Sequence, residues 1–215
     1  YEDWNSLWKF TYLIDDGAGN NGVWENLSSY IPNDGLPFDN FYTQASYNMM
    51  IAVSPHNPNT IIIGATNLYL STDGFTSKNN TNHIGGYWEG SHLPSGYWGS
   101  YLNHHPDQHS LVFLNSTPTT LYSGSDGGVA KTTDVTASSV AWTDLNNGYT
   151  TSQFYAIDID PNTSGDPVIA GGMQDNGNYS TFSTNYSTDW KDWGHGGDGA
   201  FSAVRKTGAN EYTIY

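Results

Sequence analysis

Leu121-Tyr122-Ser123-Gly124-Ser125-Asp126-Gly127-Gly128-Val129-Ala130-Lys131-Thr132 reads as two short strands folded about a tight corner. Aliphatic and aromatic residues with period-two spacing flank a Ser-Asp-Gly-Gly step, and Asp and Gly are what a hairpin corner demands. Similar runs lie outward in both directions: Ile61-Ile62-Ile63-Gly64, Val168-Ile169-Ala170-Gly171 and Tyr212-Thr213-Ile214-Tyr215, at intervals of roughly 45–60 residues. Each follows another apolar run, namely Met50 to Val53, Leu111 to Leu114, Phe154 to Ile157 and Phe201 to Val204. The first and third pairs turn through Ser54-Pro55-His56-Asn57-Pro58-Asn59 and Asp160-Pro161-Asn162, which are hairpin connections. A third strand follows in Leu68 to Asp73, Val129 to Asp134 and Tyr179 to Phe182. A fourth is marked by tryptophan, at Trp24, Trp142 and Trp190, with Trp88 as a weaker counterpart in the enlarged second unit.

This order predicts an all-β chain of consecutive four-stranded antiparallel units, the sequence signature of β-propeller blades. About four blades are expected, with units at 1–48, 49–108, 109–152 and 153–200, and the start of another at 201–215. Trp24, Trp142 and Trp190 are expected to fill the space between blades. No window competes as a long amphipathic helix, because Gly, Asn and Pro interrupt every stretch of helical length. The run opens inside a strand-like stretch (Trp4 to Ile14) and stops within one at Tyr215, so we expect a propeller segment incomplete at both ends and completed by further blades.

Composition narrows the partners. The formal net charge is −15, from 21 acidic against 6 basic residues, which disfavours nucleic acid and anionic membrane surfaces. No apolar run is long enough to span a bilayer, so no membrane insertion is expected. Cysteine is absent, which removes disulfides and thiolate metal sites. An acidic, Lys-poor chain rich in Asn, Gly, Thr and Tyr fits an extracellular protein.

Three Gly-rich corners carry an acid: Asp126, Asp175 in Gln174-Asp175-Asn176-Gly177, and Asp198 in Gly196-Gly197-Asp198-Gly199. Paired carboxylates flanking a sugar bond do glycosidase chemistry, one as acid and the other as base or nucleophile. Asp also caps tight turns through backbone N–H groups, and Asp, Asn and carbonyl oxygens can hold Ca²⁺. All three readings stand for these acids. The densest local constellation is His105-Pro106-Asp107-Gln108-His109. If this segment is extended, His105, Asp107 and His109 project from one side and suit Zn or another divalent metal; the alternative is a hydrogen-bonded cluster at a channel mouth. Trp88, Trp98 and Tyr101 lie in the long loop region of the second unit and, with Gln174, are candidates for binding a substrate; aromatic faces stack on sugars but also fill cores. There is no Gly-x-Ser-x-Gly elbow and no phosphate loop.

Ser71-Thr72-Asp73-Gly74, following Asn67-Leu68-Tyr69-Leu70, resembles the start of an Asp-box, the Ser-x-Asp-x-Gly-x-Thr-Trp hairpin of BNR-repeat propellers, with Phe75 where Gly is usual and Lys78 where Trp is usual. Thr132-Thr133-Asp134 is similar to a second copy. With the His105–His109 series and the Asp126, Asp175 and Asp198 corners at blade spacing, the chain from about Val23 onward resembles large secreted sortilin-like and glycosyl-hydrolase-like BNR propellers of Bacteroidetes, many of them type IX secretion substrates. The resemblance implies a propeller, export to the cell surface or beyond, and a glycan or a cell-surface protein as partner. Within it, Ser125-Asp126-Gly127-Gly128-Val129 partly resembles the acid-bearing segment of xyloglucanase-type enzymes, which implies Asp126 as the first catalytic candidate. Sialidase chemistry is excluded for this segment, since the arginine triad is unavailable where Arg205 is its only Arg.

Overall fold

The computed structural model describes residues 5–13, 21–32, 41–92, 98–148, 152–161, 168–174, 176–182, 190–193, 197–209 and 211–215. It divides the chain into two compact units, 1–147 and 148–215. Among the described residues the regular structure is β throughout apart from one 3₁₀ turn at Ser28–Tyr30, and no helix is long and apolar enough to cross a membrane.

The first unit opens with a hairpin of β1 (Trp8–Tyr12) and β2 (Gly22–Asn26). A four-stranded antiparallel meander follows, β3 (Met50–Val53), β4 (Ile61–Gly64), β5 (Leu68–Ser71) and β6 (Thr81–Gly85). A hairpin of β7 (Tyr87–His92) and β8 (Trp98–Ser100) leads to a second meander, β9 (Gln108–Leu114), β10 (Thr117–Ser125), β11 (Gly128–Thr132) and β12 (Thr143–Asp144). The second unit holds a third meander, β13 (Phe154–Ile159), β14 (Ile169–Met173), β15 (Gly177–Thr181) and β16 (Lys191–Asp192), and a hairpin of β17 (Val204–Gly208) and β18 (Glu211–Ile214).

The uninterrupted Ile61-Ile62-Ile63 run has a physical reason. Ile62, Leu68 and Leu70 face one side, where they join Ile84, Tyr101, Leu121, Ala130, Val135, Val140 and Trp142 in a single core shared by the first and second meanders. Ile63 and Tyr69 face the other side and pack with Phe41, Ala65 and Phe75, against which Ile61 also rests. A strand buried on both faces has no position left for a polar residue. Ile62, Leu68 and Leu70 are each at most 1% exposed, so each contributes about 1.5–3 kcal/mol relative to an exposed side chain. In the second unit Val168, Ala170 and Val204 form a smaller core, with Tyr212 and Ile214 against it.

The corner after β5 explains the Asp-box-like sequence. The Ser71 hydroxyl donates to Asp73 at 2.8 Å and accepts the Phe75 N–H at 2.8 Å. Asp73 also accepts from Ser77 (2.7 Å), Asn80 (3.0 Å) and the Thr76 N–H (3.3 Å), and the Gly74 N–H donates to Asn59. These bonds hold Phe75 in left-handed backbone (φ 59°) and completely buried. At the Asp134 corner, Thr132 accepts from the Asp134 N–H, Asp134 accepts twice from Thr136, and fully buried Val135 donates its N–H to Thr119, as Gly74 does to Asn59.

Tryptophan is a less regular marker than the sequence predicts. Trp142 and Trp190 do precede the fourth strands β12 and β16. Trp88 does not mark a fourth strand: it lies on β7, outside the first meander, whose fourth strand β6 has no Trp. Of the three tryptophans expected to fill the space between blades, Trp142 lies in a core, 5% exposed and donating its indole N–H to the Ile84 carbonyl at 2.7 Å, whereas Trp24 and Trp190 stay 64% and 39% exposed.

Candidate functional site

The corner between β10 and β11 pairs Ser125 with Gly128 across an Asp126-Gly127 turn, and Gly128 takes the left-handed conformation at φ 106° that follows such a turn. Glycine is required here for space as well. A Cβ on Gly127 would lie 2.3 Å from the His105 ring, and one on Gly128 would lie 2.1 Å from the Asn146 amide oxygen. Asn146 holds the corner from outside, donating to the Gly127 carbonyl (2.8 Å) and accepting the Val129 N–H (3.0 Å).

On the neighbouring strand β9 the register slips: Gly124 faces Ser110 and Ser125 faces Gln108, leaving His109 as an unpaired extra residue. Such a bulge re-aims its side chain. Here it brings His109 Nε2 to 2.6 Å from Asp126 Oδ1, an ion pair whenever the imidazole is protonated. The Tyr47 hydroxyl donates to the same carboxylate oxygen at 3.4 Å, and its ring meets His109 edge-on at 5.0 Å between centroids. Asp126, His109 and Tyr47 thus form one partly exposed carboxylate, imidazole and phenol cluster.

The metal arrangement expected of His105, Asp107 and His109 does not form. The alternation it assumed needs an extended strand, whereas Asp107 has φ 63° and His109 is bulged. The Asp107 carboxylate turns into the protein, accepting from Asn48 (2.9 Å) and Gln44, while its carbonyl accepts the Asp126 N–H at 3.1 Å. His105 engages the Pro106 carbonyl at 2.9 Å and lies beneath Gly127. Among the described residues no three His, Asp or Glu side chains meet as a potential metal group.

The other candidates fall out as follows. Asp198, in the second unit, is exposed and accepts from the Tyr155 hydroxyl at 3.4 Å, the same contact that Tyr47 makes with Asp126. Asp175 lies outside the described residues. Gln174 donates its N–H to the Gln153 carbonyl, and its own carbonyl accepts from Asn176 at 2.8 Å. Trp88 is on β7 and Trp98 opens β8. Tyr101 is a core residue, 8% exposed, with its ring 5.8 Å from His83.

Tyr101 also belongs to the wall of a cavity of about 250 Å³ beside the Asp126 corner, with Asn103, His104, His105, Ser125, Gly127, Gly128, Asp144 and Asn146 among its lining. His104 accepts the Gly86 N–H on Nδ1 at 3.0 Å, and its ring lies 4.2 Å from that of Trp142. Burial, with His105 and His83 nearby, pushes its pKa down to about 3, so it is neutral at ordinary pH. The sequence reading assigned no role to His104, Asn103 or Tyr47. The left-handed Asn103 (φ 59°) and the bulge at His109 are three-dimensional features without a linear signature.

No protein-family model, curated protein or solved structure matches this chain.

Proposed function

We propose that this chain is a β-propeller segment of BNR type, secreted or displayed at the cell surface, that binds a polysaccharide or glycan through its acidic corner loops. The observation that carries this reading is the Ser125–Gly128 corner, which presents the Asp126, His109 and Tyr47 cluster and also lines a cavity. Successive four-stranded meanders and the serine- and aspartate-pinned hairpin at Asp73 support the propeller part. In a hydrolase, Asp126 serves as one of two carboxylates and His109 orients it.

A non-catalytic adhesion or protein-interaction module is the second reading. The rows Ile51 and Val53 on β3, and Tyr155, Ile157 and Ile159 on β13, stand exposed on one face of each strand and favour it.

A glycan array combined with polysaccharide digestion, run on the chain and on Asp126→Asn, separates the readings. Binding and release of reducing ends, both reduced in the variant, is the hydrolase result; binding alone is the lectin-like result. A blank array with no digestion discards the glycan reading in favour of adhesion.

A further inference from the structure

We infer that the Asn147–Gly148 step is a site of spontaneous covalent modification, at which the Asn147 amide is lost through a cyclic imide and replaced by aspartate or isoaspartate. The chain has three Asn-Gly steps, Asn21-Gly22, Asn147-Gly148 and Asn176-Gly177. In each, the backbone nitrogen of the glycine can attack the side-chain carbonyl carbon of the asparagine, and glycine hinders that attack least because it has no Cβ. In an unfolded chain the three are alike; the fold separates them.

Two of the steps are held. The Gly177 N–H, whose nitrogen would be the nucleophile, donates to the Gly197 carbonyl at 2.8 Å, and the Asn176 amide nitrogen donates to the Gln174 carbonyl at 2.8 Å. Gly177 is also buried. In the first hairpin the Asn21 carbonyl accepts the Leu13 N–H at 3.2 Å and Gly22 pairs with Tyr12. The Phe10 ring covers that glycine, so closely that a Cβ on it would lie 2.2 Å from the ring.

Asn147 and Gly148 are both exposed, in the turn after β12. Among the described residues neither has a hydrogen-bond partner. Gly148 is left-handed at φ 76°, and a Cβ placed on it would meet no atom within 4 Å. The nucleophilic nitrogen and the amide it attacks are therefore both unengaged, with open space around them for the ring to close.

Water is the one co-reactant. The bond from Gly148 N to Asn147 Cγ forms as the Cγ–Nδ2 bond breaks, and the Gly148 N–H proton leaves with the amide nitrogen as ammonia. Water then opens the ring, at Cγ to give aspartate or at the main-chain carbonyl carbon to give isoaspartate. Either product adds a negative charge to a chain whose net charge is −15. It does so one residue after Asn146, which holds the Gly127 carbonyl and the Val129 N–H of the Asp126 corner.

Ageing the full chain in isotopically labelled water at mildly alkaline pH, followed by peptide mapping with fragmentation mass spectrometry, tests this. Conversion at Asn147 is expected first, with heavy oxygen in the new carboxylate, about tenfold or more ahead of Asn21 and Asn176, because those two must open their surroundings before they react. The rate should rise with pH, since the attacking nitrogen has to give up its proton. In denaturant the three rates should converge. An intact Asn147 over a period in which the denatured chain converts overturns the inference, as does Asn21 or Asn176 leading in the folded protein, or a lead of Asn147 that persists undiminished in denaturant.

Discussion

Asp73 and Asp126 stand at hairpin corners of adjacent meanders in the same unit, each next to glycine, yet their surroundings differ in kind. Asp73 is ringed by Ser71, Ser77, Asn80 and the Thr76 N–H, all within its own corner, at most seven residues away. Asp126 instead receives His109 and Tyr47, the latter 79 residues distant. Local donors make an aspartate part of a turn, whereas donors imported from other segments make it part of a surface that can meet a ligand. The corner sequence alone, Asp-Gly in both, does not carry that distinction.

The sharpest way to break the comparison is to remove what the Asp73 corner positions. Phe75 is fully buried, and Phe75→Ala should destabilise the first unit by about 3–5 kcal/mol, measured by denaturant unfolding. A loss below about 1 kcal/mol would mean that the corner holds nothing of consequence.

Asp73→Ala comes next. The Asn80 amide above all, against the opposing effect of burial, and then Ser77, Ser71 and the Thr76 N–H, hold the Asp73 carboxyl well below its usual range. A carboxylate with a depressed folded pKa stabilises fully above the unfolded value, here 3.8, and loses that contribution as pH falls below it. The variant should therefore cost about 1–2 kcal/mol at neutral pH, solvent screening allowed for, and the cost should shrink below pH 4. A deficit independent of pH would refute the carboxylate's role.

His104 gives a separate acid window. Its folded pKa of about 3 lies below the ordinary 6.5, so the unfolded chain takes up the proton first. Stability should fall as pH drops from 6.5 towards 3, by at most about 1.4 kcal/mol per pH unit from this group. Unfolding titrations of the parent and His104→Asn should diverge in slope there and run parallel above pH 7. Equal slopes below 6.5 would show that the imidazole is already protonated in the folded protein.

The sequence exposed those parts of the molecule that depend on period-two spacing and turn chemistry. Met50–Val53, Ile61–Gly64 and Leu68–Ser71 are legible because apolar runs end at Pro, Asn and Gly, and they form three consecutive paired strands as read. His105, Asp107 and His109 were misread for a related reason. Alternation holds only where the backbone is extended, and a left-handed residue and a bulge within five positions undo it. Tryptophan misled at Trp88, Trp24 and Trp190 because its bulk signals apolar surface but not which strand carries it or what covers it. The cavity wall was invisible for another reason: Asn103, His104 and Asp144 meet only after β8 and β12 are brought against the β10–β11 corner.

Asp126→Asn is expected to have the smallest effect on stability and so sharpens the contrast most. The substitution keeps an oxygen for the Tyr47 hydroxyl and leaves the Asp126 N–H bond to the Asp107 carbonyl intact, because that bond is made by the backbone. What it removes is the charge facing His109, at a contact where the imidazole is 35% exposed. Partly exposed pairs of this kind contribute less than about 1 kcal/mol, so the unfolding midpoint should barely move while glycan binding falls. A midpoint shift as large as that of Asp73→Ala would place Asp126 among the residues that hold the fold, and the difference between the two corners would disappear.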